Sequence, residues 1–478
     1  MEEPVRAQWV EYEGKVLGEV AAVWRDAVNT VDPTCRMGHQ MAFSNWHHTG
    51  LNSEPVLKNY ISEQSPTAGI RPGAGFYQDS DIGGLLQKYV CVMDEAANSR
   101  LLKKADGKPL VGQICYEAEN YPHYDLLKNP QFMMTEGTLM MAAGVDSLTL
   151  YWHSSDYYES RASYNRFARL TAEYRPYWEK LRDLGNRSKV TGIARPLGKN
   201  IFTAPSRVPG DGFWQVSNWE GIPGDLSCGI PFCPENAAPQ VMVLTDPTIS
   251  RMTKEELDGY LAGPVIVDQW GLKELLKFVP LKDIALEDHT EMLFEVFKSP
   301  DLEGPNNFLR QSGTLSCILK TSRKDVQVLS TFSTADSVAP KHLGIAAAII
   351  PAPQGGKILY MPTMDELTAP KRKTLYDGLD AICPGKFKVR VDSNEKMIIT
   401  PRVNDEGKVV AVSIFNLSPG ETDTLQVRVR NAAAQTADWT LPRQPVIRIN
   451  GVATGDPKEE ILVTLPPLGA FQIGTLFF

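Results

Sequence analysis

The segment LVGQICYEAENYP, residues 110–122, decides how the N-terminal part of this chain folds. It begins as a short apolar run and ends in two glutamates, an asparagine, a tyrosine and a proline. A short apolar run that stops at polar and turn residues is typical of a buried strand. We therefore predict a strand over Leu110–Glu117, with chemically active side chains at its carboxyl end.

Further apolar runs of the same kind lie on either side of this strand, at Arg36–Phe43, Ala68–Gly75 and Val145–Trp152. Helical patterns separate the runs, near residues 54–63, 81–104, 130–143 and 162–184. Strands that alternate with helices at this spacing predict parallel βα units.

A long amphipathic helix precedes these units and ends at Asp32-Pro33. Its apolar residues recur three or four positions apart, or at multiples of this spacing, which predicts one apolar face. That face consists of Val5, Trp9, Val16, Val20, Trp24 and Val28.

The pattern of apolar and turn residues changes at two points, after residue 199 and after residue 384. Residues 200–384 predict a second α/β domain, with buried strands at Gln240–Thr245 and Val265–Asp268. Between these strands, Thr253 and Glu256 have the spacing of a capping box that opens a helix. Residues 385–478 contain only short runs separated by turn signals, which predicts a small antiparallel β-sandwich.

The composition excludes several classes of protein. The chain has 49 Lys and Arg against 57 Asp and Glu, so its formal net charge is −8, which argues against a general nucleic-acid binder. Hydrophobic residues make up 42% of the chain, which is enough for packed cores and excludes a disordered or fibrous chain. There is no long apolar run or leader pattern, so we expect a cytoplasmic protein without membrane contact.

The seven cysteines are odd in number and mostly far apart. This spacing predicts neither a disulfide framework nor a structural zinc site. We expect no metal and no other cofactor.

Glu117 and Glu119 carry the strongest chemical signal. Side chains alternate between the two faces of a strand, so both carboxylates point the same way. Two carboxylates at the end of a buried strand are costly unless they are paired or used. The structural alternative is that they only form ion pairs with arginines such as Arg71.

The other strand ends offer aromatic, amide and charged side chains. Trp46 follows the first strand, Arg71 lies in the second, and Trp152 and His153 end the fourth. Sugar rings stack on aromatic faces and need both hydrogen-bond donors and acceptors. This combination at four strand ends predicts a carbohydrate site.

The EN-Y-P after the third strand resembles the E-Q-x-P that follows strand seven in family 42 glycoside hydrolases, the β-galactosidase-like group. The run GVDSLTLYW, residues 144–152, resembles that family's eighth strand. The resemblance implies the C-terminal half of a TIM-type (β/α)8 barrel over residues 1–199. It further implies a glutamine-amidotransferase-like scaffold domain over 200–384 and a small β-domain over 385–478.

The resemblance also implies a retaining hydrolase that acts by double displacement on an oligosaccharide or glycoside. In that mechanism a glutamate attacks the anomeric carbon, and a second one, about 5–5.5 Å away, acts as acid and base. Register with the proline places the nucleophile on Glu119, with Glu117 a close second. The implied substrate-binding residues are Trp46, Arg71, Asn120, Tyr121, Trp152 and His153.

The chain departs from that family in one important respect. Its four strands correspond to strands five to eight, and no Asn-Glu pair ends a strand before residue 100, so the acid/base half of the barrel is missing. We expect an open half-barrel that is inactive alone and pairs with a missing N-terminal half or forms a homo-oligomer. The alternative is a non-catalytic carbohydrate-binding or assembly protein. Amidotransferase activity is not expected, because Cys228 and Cys317 lack a glycine-flanked elbow.

Overall fold

The computed structural model describes residues 3–40, 53–72, 82–119, 128–151, 161–196, 229–291, 293–297, 308–310, 316–334, 341–364, 369–393, 395–455 and 459–478. The protein is a mixed α/β structure with a parallel sheet near its N-terminus and an antiparallel region near its C-terminus. Within the described ranges, no helix combines the length and the apolar character needed to cross a membrane.

The N-terminal part forms a parallel sheet backed by helices, which confirms the predicted parallel βα pattern. The sheet has the order β1-β2-β3-β4, and its neighbouring strands are all parallel. The strands are β1 (Gly38–Gln40), β2 (Ala68–Arg71), β3 (Val111–Glu119) and β4 (Ser147–Tyr151). The helices are α1 (Glu3–Asn29), α2 (Glu54–Tyr60), α3 (Ile82–Leu101), α4 (Pro130–Ala143) and α5 (Arg161–Asn186). In the described residues β1 and β4 each have one strand neighbour, so the sheet is open at both ends.

Helix α1 packs with the face opposite to the predicted apolar one. Gly18 lies so close to α2 that an added Cβ would stand 3.3 Å from the Pro55 carbonyl oxygen, and Val10 and Ala21 are buried on the same side. Small residues allow this close contact. The opposite face, here called the α1 stripe, is partly exposed and consists of Val5, Trp9, Tyr12, Val16, Val20 and Trp24, whose exposure ranges from 37% to 60%.

The middle of the chain builds most of a second, larger sheet. Its parallel part has the order β14-β7-β6-β5, and antiparallel strands extend it beyond β14. The strands are β5 (Lys189–Ala194), β6 (Ala238–Leu244), β7 (Pro264–Val267), β8 (Ile284–His289), β9 (Leu293–Phe297), β10 (Phe308–Arg310), β11 (Ser316–Thr321), β12 (Gln327–Thr334), β13 (His342–Pro351) and β14 (Lys357–Tyr360). The helices are α6 (Asp246–Ile249), α7 (Lys254–Leu261), α8 (Gln269–Phe278) and α9 (Ala369–Ile382).

The predicted capping box is present at the start of α7. The Thr253 Oγ1 accepts a hydrogen bond from the Glu256 amide at 3.2 Å, and the Glu256 carboxylate accepts one from the Thr253 amide at 2.9 Å. Each interaction satisfies an amide that the first helical turn leaves unpaired.

The C-terminal strands form two antiparallel layers. They are β15 (Val389–Asp392), β16 (Met397–Val403), β17 (Val409–Asn416), β18 (Leu425–Arg430), β19 (Thr436–Thr440), β20 (Ile447–Asn450), β21 (Val452–Ala453), β22 (Glu460–Leu465) and β23 (Ile473–Phe477). One layer has the order β15-β18-β22-β21, and the other has the order β16-β17-β23-β19-β20. Trp439 is fully buried in the core between them.

Strand β16 also pairs antiparallel with β5, so the second layer continues the central sheet. Hydrogen bonds across predicted domain boundaries join the Tyr89 and Thr400 side chains at 2.6 Å and the Tyr177 and Thr475 side chains at 2.7 Å. The division at residues 199 and 384, and the amidotransferase-like character of the middle part, stay predictions.

Candidate functional site

Strand β3 separates an apolar face from a polar one. Its even-numbered residues Ile114, Tyr116 and Ala118 are buried against the helix layer, whereas the odd-numbered ones are only half-buried. Glu117 and Glu119 are odd-numbered neighbours on the polar face, as strand alternation requires. The predicted side-by-side arrangement of the two carboxylates therefore follows from the register of this one strand.

Arg71 reaches this face from the neighbouring strand β2. Its guanidinium donates to the Glu117 Oε1 at 2.7 Å, and the two side chains are 21% and 12% exposed. Burial raises the pKa of the Glu117 carboxyl, and a hydrogen bond with Glu119 raises it as well, while the positive charge of Arg71 opposes the shift. The expected pairing with Arg71 thus involves Glu117, the carboxylate nearer the middle of the strand.

The contact between Glu117 and Glu119 limits what the pair can do. The interaction with Glu119 raises the pKa of Glu117, so the ionisation of one carboxyl group depends on the presence of the other. A retaining glycosidase needs its two carboxyl groups about 5–5.5 Å apart, and an inverting one needs about 6.5–9.5 Å. Glu117 and Glu119 belong to one strand and Glu117 is held by Arg71, so this pair can fill one of the two catalytic positions.

Strand β4 completes the polar face beside the carboxylates. Thr149 lies opposite Glu117 in the strand register, and Tyr151 lies opposite Glu119. The Cys115 Sγ and the Thr149 Oγ1 are 3.0 Å apart, and Tyr151 is 37% exposed. Tyr151 was not among the predicted contacts, although its odd position in the fourth apolar run was a usable signal. Its ring provides an aromatic surface next to Glu119.

A buried ionic cluster supports β3 from the helix side. Glu136 in α4 accepts a hydrogen bond from the Tyr116 hydroxyl at 2.7 Å and pairs with the Lys128 ammonium at 2.5 Å. The Lys128 and Glu136 side chains are 1% and 0% exposed. Burial raises the pKa of Glu136, and the charge of Lys128 opposes this shift. Sequence reasoning missed the cluster, although Glu136 is the only charged residue of an otherwise uncharged helix.

Lys88 in α3 provides a second cation near these carboxylates. Burial lowers the pKa of Lys88, and the negative charges of Glu136 and Glu119 are among the influences that oppose the shift. The attraction between Lys88 and these carboxylates favours the charged forms of both partners.

The remaining predicted site residues lie outside the described residues. They are Trp46, Asn120, Tyr121, Trp152 and His153. Of the predicted set, the structure brings together Arg71, Glu117 and Glu119. Among the residues that the structure describes, no group of three His, Cys, Asp or Glu side chains is arranged to hold a metal ion.

No family model matches this chain, and no curated protein matches it. Among solved structures, the chain is similar to the cold-adapted β-galactosidase from Rahnella sp. R3. The identity is 12% and the TM-score 0.55, over 99% of this chain and 68% of that one. It is also similar to α-L-fucosidase isoenzyme 2 from Paenibacillus thiaminolyticus, at 10% identity and a TM-score of 0.52, over 77% and 60% of the two chains. A family 42 β-galactosidase from G. stearothermophilus matches at 12% identity and a TM-score of 0.49, over 94% and 64%.

These similarities concern the fold, and they identify a glycosidase-like scaffold. The predicted likeness to β-galactosidases is confirmed at that level. The chain spans 60% of the length of the fucosidase and 68% of the length of the Rahnella enzyme.

Proposed function

We propose that this chain belongs to a carbohydrate-active protein, a retaining glycoside hydrolase of the β-galactosidase type. One observation carries the proposal. Two carboxylates, Glu117 and Glu119, and the Arg71 guanidinium meet on the polar face of a parallel strand in a glycosidase-like scaffold. In βα barrels the carboxyl ends of the strands form the active face, which is where this group lies.

Glu119 is the proposed nucleophile. It is the last residue of β3 and lies opposite the exposed ring of Tyr151. Its carboxylate forms a bond to the anomeric carbon while the bond to the leaving oxygen breaks and that oxygen takes up a proton. Water then hydrolyses the glycosyl-enzyme and regenerates the carboxylate.

Glu117 has a supporting role in this proposal. Burial raises the pKa of Glu117, and the Arg71 guanidinium fixes the orientation of its carboxyl group. The positive charge of Arg71 beside the pair is the proposed electrostatic partner of the nucleophile. The proposed sugar contacts in the neighbouring segments are Trp46, Asn120, Tyr121, Trp152 and His153.

In this proposal the proton donor for the leaving oxygen is a further carboxyl group, because Arg71 holds Glu117 and the retaining mechanism needs a second carboxyl about 5–5.5 Å from the nucleophile. We propose that a missing N-terminal half-barrel, or another copy of the chain, supplies this group. The chain alone is then inactive. We also propose that the protein acts in the cytoplasm.

The alternative is a carbohydrate-binding or assembly protein without catalysis. The open β1–β4 sheet in the described residues favours this alternative. On such a scaffold the carboxylates and Arg71 would bind sugar hydroxyls by charge-assisted hydrogen bonds.

The test is hydrolysis of a panel of nitrophenyl glycosides by the protein purified from its source cells and by the 478-residue chain. We expect turnover by the former, and labelling of Glu119 by a 2-fluoro glycoside. In the source protein, Glu119→Gln should lower kcat by more than about 10³-fold. Glu255→Gln, at an exposed position of α7, is the matched control and should change kcat less than about twofold.

Other outcomes separate the two functions. A larger loss for Glu117→Gln, together with labelling of Glu117, would exchange the two roles. Sugar binding without hydrolysis in both preparations would favour the non-catalytic alternative, and the absence of both would contradict both proposals.

A further inference from the structure

A cavity of about 750 Å³ lies where helices α4 and α5 meet two turns of the C-terminal strands. One turn joins β19 to β20, and the other precedes β23. The volume lies within the range of about 300–1,000 Å³ that is usual for small-molecule sites. The polar face of β3 contributes no residue to the lining, so this is a separate place on the molecule.

Aromatic rings dominate one side of the cavity. Phe132 of α4 and Phe471 of the β23 turn meet edge to face, with ring centroids 5.8 Å apart and planes at 73°. Tyr174 of α5 adds a third ring and accepts a hydrogen bond from the Gln131 amide. Such a group of rings offers an apolar surface on which the CH face of a sugar can stack.

The rim of the cavity is polar, and the charge of Arg443 on this rim is balanced by a carboxylate. The Arg443 Nε lies 2.7 Å from the Glu173 carboxylate. Gln131 and Gln472 present amides, and the Gln472 Oε1 accepts a hydrogen bond from the Gly469 amide at 2.9 Å, which orients that side chain. Amides both donate and accept hydrogen bonds, as paired sugar hydroxyls require.

Two of the lining residues have an unusual backbone conformation. Arg443 has a φ of +65° and Phe471 a φ of +51°. This left-handed region favours glycine, and a bulky residue there is a clear outlier. The Thr135 hydroxyl holds the Phe471 carbonyl at 3.2 Å. Residues in strained backbone conformations are often found at ligand sites, where the surrounding structure holds them in place.

We propose that this cavity binds a neutral oligosaccharide. One sugar ring stacks on Phe471, while Gln131, Gln472 and Arg443 bind its hydroxyls. The site is auxiliary: it holds a glycan away from Glu117 and Glu119, and its occupancy does not depend on hydrolysis.

The test is titration of the 478-residue chain with neutral galacto- and gluco-oligosaccharides, by calorimetry and by saturation-transfer NMR. Phe471→Gly should weaken binding at least about tenfold, since it removes the stacking ring. The melting temperature should change little, because relief of the left-handed strain offsets the lost contact with Phe132. Gln472→Ala should weaken binding by about threefold to tenfold, through the loss of one hydrogen-bonding side chain. Phe278→Ala, at an exposed phenylalanine of α8, is the matched control and should have no effect on binding.

A Glu117→Gln/Glu119→Gln double variant separates this site from the proposed catalytic one. Unchanged binding in that variant, with loss in Phe471→Gly and Gln472→Ala, supports the auxiliary site. Loss only in the double variant places the sugar on β3, which overturns this proposal and leaves the proposed function standing. If Phe471→Gly fails to fold, Gln472→Ala and the NMR contacts decide. Binding of an apolar dye alone, with no sugar binding, also overturns the proposal.

Discussion

The parallel β1–β4 sheet and the antiparallel C-terminal strands differ in how many faces of their strands are buried. In β16 all seven residues are buried, because helices cover one side of the strand and a second sheet covers the other. In β3 burial alternates, and the uncovered face holds carboxylates. Strands covered on both faces have no accessible side chains for chemistry. Strand β16 therefore buries its side chains in the core, whereas β3 leaves the carboxylates of its polar face available for the proposed chemistry.

Two tryptophans give the most direct test of this contrast. Trp439 is fully buried between the C-terminal layers, whereas Trp24 on the α1 stripe is 57% exposed. Trp439→Ala should lower the free energy of unfolding by about 3–5 kcal/mol, because it leaves a large cavity. Trp24→Ala should change it by less than about 0.5 kcal/mol. Denaturant titrations followed by circular dichroism measure both, and equal effects would contradict the assigned burial.

The buried Lys128–Glu136 pair tests whether charged groups on the covered side of β3 depend on each other. Lys128→Met leaves the Glu136 carboxylate buried without its cation, which should cost about 3–5 kcal/mol. Replacing both, as Lys128→Met/Glu136→Leu, should restore much of the loss because no uncompensated charge remains. The double-mutant cycle is measured by thermal unfolding. A double variant as unstable as the sum of the two singles would show that the pair is not coupled.

Asp94 in α3 makes the same region sensitive to pH. Burial raises the pKa of Asp94 to about 6, Arg195 opposes the shift, and Glu235 adds to it. The folded state then binds more protons than the unfolded state between about pH 4 and pH 6. This contribution to stability is complete below about pH 4, and about 3 kcal/mol is lost as the pH rises through 6. Asp94→Asn should remove that slope in melting temperatures recorded from pH 4 to 7.5, and an unchanged slope would contradict the shift.

The smallest expected effect on stability belongs to the α1 stripe. Trp9→Ser should leave the melting temperature nearly unchanged, because the side chain is 46% exposed. Exposed aromatic stripes of this kind favour association. Sedimentation at micromolar concentration should show oligomers of the parent chain and a shift towards monomer in Trp9→Ser. A parent chain that stays monomeric would contradict our proposal of assembly.

Local features were the most predictable part of the structure. Strand positions, the alternation that puts Glu117 beside Glu119, and the Thr253–Glu256 capping box follow from short-range spacing. Periodicity also identified the apolar residues of α1, but it could not show that the small residues Gly18 and Ala21 would form the contact instead.

Long-range pairing was the least predictable part. The strands β8–β13 pair antiparallel within a region whose predicted pattern was α/β, because the partner of a strand is set by topology and not by its own residues. The pairing of Lys128 with Glu136 and the register that sets Tyr151 beside Glu119 likewise depend on the folded arrangement. The strand-end segments with Trp46 and Trp152 lie outside the described residues.

The hydrogen bonds between β5 and β16 have a consequence for cutting the chain. Residues more than 200 positions apart are neighbours in one sheet, at Val190 and Arg402. A protease that cleaves between residues 199 and 229 should therefore yield a nicked protein whose two pieces migrate together until denaturant is added. Deleting residues 385–478 should instead destabilise the N-terminal part. The deletion removes the antiparallel neighbour of β5 and the threonine partners of the Tyr89 and Tyr177 hydroxyls. The N-terminal part is thus not an independently folding domain. Its folding yield should depend on synthesis of the last hundred residues.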